Sequence, residues 1–300
     1  MIVYFSDEYV ATPDGFDTVQ KAGAVAASVS DDPIRGVELR APTPATRDEL
    51  LRIHDRAYVD AVVTGEPRSL AASAGLDWSP AVATSVLAST GGCRDAAMAA
   101  WRDGASGSLS SGLHHARRNT GAGFCTFNGV ALAALQLVDL GARHVLILDF
   151  DAHCGGGTAD ILGNDQRVCQ IDIATDGFDR YSPPPGWTLE AVAHADDYLR
   201  VVRQSLDAAP ADTAAVVYNA GMDPHEACDI GGLNGITDEI LCEREQLVFD
   251  WATAQSVPLA FVLAGGYTSS AMTAAHLTRL HRLTIVAAAV TGLPQNPARA

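Results

Sequence analysis

Short apolar runs that alternate with longer helical stretches constrain the fold of this chain most strongly. The runs Val145–Leu148 and Ala214–Tyr218 carry no alternation of apolar and polar residues, so both faces of each strand must be covered. Strands of this kind belong inside a parallel sheet that is packed by helices on both sides. The sequence therefore predicts a three-layer α/β fold with right-handed crossovers between the strands.

The periodicity of the chain gives approximate bounds for these elements. The predicted strands are Ile2–Phe5, Gly107–Ser110, His144–Asp149, Val168–Ile173, Ala214–Asn219 and Leu259–Leu263. The predicted helices span residues 16–30, 46–64, 79–103, 126–140, 188–208, 237–254 and 268–290. Thr64–Gly75 and Arg180–Trp187 are rich in Pro, Gly and Ser, which predicts loops. We expect one domain over residues 1–295 and a short tail over residues 296–300.

The composition excludes several classes of protein. Of the 300 residues 48% are hydrophobic and 19% are charged, which excludes intrinsic disorder. Lys and Arg total 20 against 36 Asp and Glu, and a net charge of −16 repels phosphate backbones, so no nucleic-acid partner is expected. No apolar stretch reaches the roughly 18 residues of a membrane span, and the first residues lack a signal-peptide pattern. The scattered cysteines contain no Cys-x-x-Cys pair, so we expect a cytoplasmic protein with reduced thiols and no membrane partner.

Side chains capable of chemistry follow four of the predicted strands. In an open parallel sheet, ligands bind beyond the carboxyl ends of the strands. The side chains found there are His114, His115, Asp149, Asp151, His153, Asp223 and Tyr267. The sequence therefore predicts that they collect along one edge of one sheet.

Asp151, His153 and Asp223 form a candidate metal site. The side chains of residues two apart in an extended segment point to the same side, so Asp151 and His153 can coordinate one ion together. Asp223 follows a separate strand and can supply the third ligand. One imidazole and two carboxylates suit zinc, or less often ferrous iron, and leave positions open for water and substrate. The alternative is that Asp-x-Asp-x-His at a strand end only stabilises the turn.

The remaining side chains at this edge have catalytic and structural interpretations. His114 and His115 could transfer protons, although adjacent histidines also occur in packed turns. Asp149 could orient His114 by accepting a ring N–H, or it could form a cap or an ion pair. Tyr267 follows two glycines that allow the backbone to approach a ligand, and its hydroxyl could hydrogen-bond an oxyanion. The alternative for Tyr267 is a place in the core.

Seven short segments occur in an order and spacing that identify a family. They are Ile53–Asp55, Ala57–Val62, Gly112–Ala116, Gly123–Cys125 with Phe127-Asn128, Asp149–His153, Ala220–Asp223 and Gly265–Thr268. From His54 to Tyr267 the chain resembles the histone deacetylase superfamily, which includes acetylpolyamine amidohydrolases and related bacterial enzymes. The resemblance implies the arginase–deacetylase α/β fold. It also implies hydrolysis of an acyl group, in the first place acetyl, from a small-molecule or peptide acyl-amine such as acetylated lysine or polyamine.

The resemblance also implies the ions that this chain binds. One catalytic zinc would be held by Asp151, His153 and Asp223, and Fe²⁺ is the alternative metal. Asp149 would be the partner of His114. A structural monovalent cation, K⁺, would lie near Asp149, Asp151 and His153.

Catalytic and substrate-binding residues follow from the same resemblance. His114 and His115 would be the histidine pair beside the catalytic water. Tyr267 would polarise the scissile carbonyl. Gly123 and Phe124 would line the channel that binds the acyl group.

Three departures from the family pattern mark a divergent member. Cys154 replaces a histidine that usually follows the metal-binding histidine. Gly156 stands where an Asp or Asn normally holds the second histidine of the pair, so His115 is expected to lack an orienting partner. Phe16–Lys21 occupies the region of a His-Pro-Glu-x-Pro-x-Arg segment.

Two alternative functions remain open from the sequence. Gly156 favours a pseudo-enzyme that binds metal without a working base. Asp151-Ala152-His153 is also similar to the pattern of two-metal ureohydrolases, although no Gly-Gly-Asp-His element accompanies it. Two metal ions per chain would favour the ureohydrolase.

Overall fold

One parallel sheet forms the centre of the molecule. The computed structural model describes residues 1–10 and 17–291, with side chains of the second range from Gln20 onward. The strands are β1 (Ile2–Tyr4), β2 (Glu38–Arg40), β3 (Ala105–Ser108), β4 (Val145–Asp149), β5 (Val168–Ala174), β6 (Thr188–Ala191), β7 (Ala215–Asn219) and β8 (Leu259–Val262). All pairings are parallel, in the order β2-β1-β3-β8-β7-β4-β5-β6.

Helices cover the sheet on both faces. They are α1 (Asp17–Asp31), α2 (Arg47–Leu50), α3 (Arg56–Thr64), α4 (Arg68–Ala71), α5 (Pro80–Asp103), α6 (Gly129–Asp139), α7 (Gly156–Leu162), α8 (Ala195–Asp207), α9 (Asp238–Gln255) and α10 (Ala274–Val290), with a 3₁₀ turn at Asp7–Val10. Among the residues described, no helix combines the length and the apolar character that crossing a bilayer requires.

The central strands are apolar on both sides because each side faces a separate core. Leu146 and Leu148 of β4 point into a core completed by α1, α8, α9 and α10. Val145 and Ile147 point into a second core, to which α3, α5 and α6 contribute. The predicted three-layer α/β fold, a parallel sheet flanked by helices, is confirmed.

The predicted helix over residues 188–208 is wrong over its first seven residues. Thr188–Ala191 is instead the edge strand β6, paired with β5 from the register Ile171–Thr188. Helix α8 begins only at Ala195, where Asp196 and Asp197 in its first turn complement the positive end of the helix dipole. The short edge strand β2 was not predicted either, because three half-exposed residues give no periodic signal.

Smaller differences occur at other predicted boundaries. The predicted helix over residues 46–64 is two helices, α2 and α3, because Thr46 forms a capping box and Asp55 begins a second helix. The last helix begins at Ala274 after the cap Thr273, not at residue 268. Strand β3 lies two residues earlier than predicted. Residue 16 and the predicted tail over 296–300 lie outside the described residues, so the domain bounds stay a prediction.

Arg244 in α9 is fully buried and ties this helix to the segment after β4. Its guanidinium lies 2.7 Å from the Glu245 carboxylate and donates to the Phe150 carbonyl (3.2 Å) and the Tyr198 hydroxyl (3.1 Å). Removing one partner of a buried ion pair leaves the other charge uncompensated, so Arg244→Leu should lower the free energy of unfolding by about 3–5 kcal/mol. Urea denaturation measures the loss, and the double variant with Glu245→Leu should lose less. An Arg244→Leu variant as stable as the unmodified chain would contradict this.

Candidate active site

Four adjacent strands bring the predicted site residues together. In the sheet order β3-β8-β7-β4, the carboxyl end of each strand leads into a loop that carries part of the site. The side chains that lie buried at this edge, from these loops and from the last residue of β4, are His114, His115, Asp149, Asp151, His153 and Asp223. Residues that are far apart in the chain therefore meet because parallel strands end at one edge.

Asp151, His153 and Asp223 present ligand atoms to one point. The Nδ1 atom of His153 lies 3.1 Å from Asp151 Oδ1 and 3.1 Å from Asp223 Oδ2. All three residues are buried, and their ligand atoms lie within 4.8 Å of one another. Three atoms that each lie about 2 Å from a tetrahedral zinc would be about 3.3 Å apart, so the spacing suits such an ion.

The backbone of Gly265 closes one side of this cluster. Its N–H donates to Asp151 Oδ2 at 2.6 Å, and a Cβ at this position would lie 2.0 Å from Asp223 Oδ2. The preceding carbonyl, that of Ala264, accepts hydrogen bonds from the buried Lys21 ammonium and from the Ser111 hydroxyl. Only glycine fits at position 265, and helix α1 helps to hold the turn through Lys21.

The charges of the cluster shift one another's pKa. Burial lowers the pKa of His153, but the neighbouring carboxylates of Asp151 and Asp223 outweigh it and raise the pKa to about 11. Burial and the charge of Asp151 raise the pKa of Asp223 to about 6. Burial also acts to raise the pKa of Asp151, but His114 and His153 hold it well below its usual value. The site therefore concentrates negative charge that a cation can neutralise.

His114 and His115 form a coupled pair beside the cluster. His114 donates its Nδ1–H to Asp149 Oδ2 at 2.7 Å, and the two Nε2 atoms lie 3.1 Å apart. Burial lowers the pKa of His114, but Asp149 and Asp151 outweigh it and raise the pKa to about 10. Burial and the charge of His114 lower the pKa of His115 to about 4. The contact between the two Nε2 atoms requires a proton on one ring and a lone pair on the other.

Three residues outside the predicted site fix this pair. Asn219, the last residue of β7, donates to Asp149 Oδ1 at 2.8 Å. Asn128, the N-cap of α6, donates to the His114 carbonyl at 3.2 Å. The buried His54 accepts the Asn128 N–H on its Nε2 at 3.0 Å, so its Nδ1–H donates to the Arg117 carbonyl at 2.8 Å. The turn that carries the histidines is therefore held from two sides.

His115 has an orienting partner, contrary to the expectation drawn from Gly156. The Nδ1 atom of His115 lies 3.0 Å from Asp179 Oδ2, and the Asp179 side chain is only 5% exposed. Asp179 belongs to the loop after β5, the strand next to β4 in the sheet. The expectation was wrong because it considered only the residue that follows the Asp149–His153 segment in sequence.

A cleft of about 380 Å³ opens over the cluster. His115 and His153 lie among its lining residues, together with Gly123, Phe124, Phe178 and Tyr267. The Phe178 ring stands edge-on to His115, with 4.9 Å between centroids and an interplanar angle of 87°. The Tyr267 ring lies 6.3 Å from that of His153. A larger cleft of about 500 Å³ lies between β6 and α8, and none of the predicted site residues lines it.

Sequence reasoning missed Phe178 and Asp179, although a signal for them exists. Both lie in the loop that follows β5, and strand Val168–Ile173 is among the strands predicted from the sequence. The rule that pointed to the ends of the other central strands applies to this strand as well. Asn219 was included in a predicted strand, but its last position at the sheet edge was not interpreted.

A second group of metal-ligand type lies outside this site. The ring nitrogens Nε2 of His225 and His276 lie 2.8 and 2.7 Å from Asp238 Oδ1. These side chains also satisfy the spacing for a metal ion, and Asp238 and His276 are partly exposed. Both distances are also those of a hydrogen bond from an imidazole N–H to a carboxylate, so these contacts do not require a metal ion.

Comparison with known proteins gives a consistent set of similarities. The sequence model described as the histone deacetylase domain matches residues 17–283. An uncharacterized protein of Picosynechococcus sp. is 30% identical over 258 residues, which cover 81% of this chain and 83% of that protein. A probable deacetylase of Methanothermobacter thermautotrophicus is 35% identical over 45% of this chain and 42% of its own length. Histone deacetylase 2 of Arabidopsis thaliana is 30% identical over 54% of this chain and 44% of its own length.

Two solved structures share the fold. The HD domain of HDA15 superposes with a TM-score of 0.76 at 21% identity, covering 98% of this chain and 94% of that domain. An acetylpolyamine aminohydrolase from Burkholderia pseudomallei superposes with a TM-score of 0.73 at 20% identity, covering 97% and 99%. At 21% and 20% identity, these two superpositions show a shared fold and do not assign an activity.

Proposed function

The chain belongs to the histone deacetylase family, and from this premise we propose that it is a zinc-dependent hydrolase of acylated amines. The bond cleaved would be an N-acyl bond, in the first place acetyl, in an acetylated lysine or polyamine. The observation that carries this proposal is the convergence of Asp151, His153 and Asp223 beside a hydrogen-bonded histidine pair.

The donor set fits the proposed metal. Asp223 Oδ2 is buried, and the one polar contact described for it is with His153 Nδ1 at 3.1 Å, which does not have the geometry of a hydrogen bond; two proposed ligand atoms placed this way are suited to a shared cation. One imidazole and two carboxylates are a donor set that zinc accepts, and that Fe²⁺ accepts less often. When bound there, the ion would polarise the scissile carbonyl and make water a better nucleophile.

The histidine pair is suited to moving the proton. His115 lines the cleft, and a neutral His115 ring can take a proton from the attacking water on Nε2, in place of its hydrogen bond with His114. His114 stands behind it, held in one orientation by Asp149 through the Nδ1–H bond. The pair then returns a proton to the nitrogen of the leaving amine, which must be protonated to depart.

Tyr267 and the aromatic walls complete the proposed reaction site. The Tyr267 hydroxyl would donate a hydrogen bond to the carbonyl oxygen as negative charge develops on it. Gly123 and Phe124 line one part of the cleft and Phe178 another, which would hold a short acyl chain and exclude water. These assignments agree with the roles that the family resemblance predicts.

The rim of the cleft supports an amine substrate that carries positive charge. Asp176 and Asp229 both line the cleft and are exposed, and the whole chain carries a net charge of −16. Carboxylates at a pocket mouth attract cations. A polyamine or a lysine-containing peptide meets this condition better than a neutral amide.

The predicted monovalent cation has one structural observation in its favour. Asp172 is fully buried, and its Oδ1 atom accepts no hydrogen bond from the described residues. Burial and the neighbouring charge of Asp149 raise the pKa of Asp172 well above its usual value. A K⁺ ion near these two carboxylates would stabilise their charged forms.

A hydrolysis screen tests the proposed function. The zinc-loaded protein is incubated with acetyl-lysine peptides and acetylated polyamines, and released acetate is measured. We expect turnover by the unmodified chain and none by Asp223→Ala, which loses one of the three ligands. Full zinc loading without hydrolysis of any acyl-amine would instead support the metal-binding pseudo-enzyme.

A further inference from the structure

We propose that Asp179 is the positioning residue of His115, supplied by the loop after β5 in place of the residue at position 156. This inference rests on the proposed function, in which His115 moves a proton. It names a residue that the family pattern does not predict at this position of the chain. It also removes the main reason to regard the chain as a pseudo-enzyme.

The hydrogen bonds around Asp179 fix the orientation of the His115 ring. A carboxylate only accepts hydrogen bonds, so the contact at 3.0 Å requires a proton on His115 Nδ1. The same oxygen, Oδ2, accepts the Gly157 N–H at 3.1 Å, and Oδ1 accepts from the Arg117 guanidinium. With Nδ1 protonated, the lone pair of a neutral His115 ring lies on Nε2, which faces His114 Nε2 at 3.1 Å and is the atom at which the ring gains or loses a proton.

The space beside Gly156 shows that positions 156 and 179 compete for one volume. A Cβ built on Gly156 would lie 2.3 Å from the Asp179 carbonyl oxygen and 2.6 Å from Asp179 Oδ1. No side chain at position 156 therefore fits while Asp179 occupies this place. The absence of a side chain at position 156 is what allows the loop after β5 to reach His115.

The loop that carries Asp179 is docked firmly on the metal-binding segment. The N–H groups of Thr175 and Asp176 donate to the Ala152 carbonyl at 2.9 and 2.8 Å, and the Cys154 N–H donates to the Phe178 carbonyl at 3.0 Å. Asp179 itself has a φ of +58°, a left-handed conformation that Asp tolerates better than most residues. Non-glycine residues that their surroundings hold in this conformation are common at functional sites, which supports a functional role for Asp179.

A purely structural role for Asp179 is the competing explanation, and enzyme kinetics separate the two. Asp179→Ala should lower kcat by about 10–100-fold, with KM and zinc content nearly unchanged, as for other residues that orient an active imidazole. Asp179→Asn keeps an acceptor oxygen for His115 and should recover part of the loss. Arg117→Ala breaks only the ion pair on the other oxygen and should lose far less than Asp179→Ala.

A double-mutant comparison then tests whether Asp179 affects kcat through His115. Because Asp179 acts through His115, Asp179→Ala should change kcat less than twofold when it is added to His115→Ala. Independent, multiplicative losses in the double variant would overturn the inference. So would an Asp179→Ala variant with the full activity of the unmodified chain.

A spectroscopic measurement decides the inference independently of activity. Long-range ¹H–¹⁵N spectra of the zinc-loaded protein report which ring nitrogen of His115 is protonated, with His115→Ala used for assignment. We expect a proton on Nδ1 in the unmodified chain and its loss or averaging in Asp179→Ala. An unchanged Nδ1 proton in Asp179→Ala would overturn the inference. A chain that hydrolyses no acyl-amine yet shows the expected spectra would refute only the proposed function.

Discussion

Replacement of Asp149 by asparagine is expected to lower kcat by about 10³–10⁴-fold, as when the carboxylate of a serine-protease triad is replaced by an amide. Asp149 accepts hydrogen bonds from His114 Nδ1 and from Asn219 Nδ2, one on each oxygen. An amide has only one acceptor oxygen, so one of these donors would face an NH₂ group. The His114 ring would then turn or change tautomer, and its Nε2–H would no longer point at His115.

The control for Asp149→Asn is a variant with an Asp-to-Asn substitution far from the site. Asp165 pairs with Arg167 at the surface, so Asp165→Asn should retain full activity. Initial rates over a range of acetylated substrate give kcat and KM, and circular dichroism checks the fold of both variants. An Asp149→Asn variant within tenfold of the unmodified chain would show that Asp149 does not orient a catalytic histidine.

Replacement of Tyr267 by phenylalanine is expected to lower kcat by about 10²–10³-fold, with little change in KM. The proposed hydrogen bond from the hydroxyl strengthens only as the carbonyl oxygen becomes negative, so its loss affects the transition state more than the bound substrate. The ring itself would stay in the wall of the cleft, near His153. Packing of the acyl group should therefore be preserved.

Steady-state kinetics on Tyr267→Phe and Tyr4→Phe test this assignment. Tyr4 lies in strand β1 and serves as a control for removing a tyrosine hydroxyl outside the cleft. Tyr4→Phe should turn over substrate at the normal rate. If Tyr267→Phe also kept its normal kcat, the hydroxyl would not be the oxyanion donor.

The central strands β4 and β7 could be predicted from the sequence because they are uncharged and largely apolar up to their last residue. The predicted bounds of β4 and β7 differ from the structure by one residue at the amino end. The edge strands β2 and β6 are short and largely exposed, so neither their composition nor their periodicity distinguishes them from loops. The beginning of α8 was misplaced for the same reason, since β6 lies directly before it.

The site was predictable wherever a residue lies directly after a strand. Asp151 and Asp223 follow β4 and β7 within a few positions, so the parallel arrangement alone brings them together. The same rule places the loop after β5 at this edge, but no local pattern specifies that Asp179 of this loop reaches His115, which lies 64 residues away in the chain. Such a contact depends on how two loops pack, which only the three-dimensional structure reveals.

The metal content of purified protein tests the central claim most directly. Three proteins are loaded with zinc and dialysed: the unmodified chain, Asp223→Ala and Asp238→Ala. Their zinc content is then measured by inductively coupled plasma mass spectrometry. We predict that Asp223→Ala binds one zinc per chain fewer than the unmodified protein. The Asp238→Ala variant should keep that zinc, because its carboxylate belongs to the separate group with His225 and His276. Equal zinc content in the unmodified chain and Asp223→Ala would contradict the account.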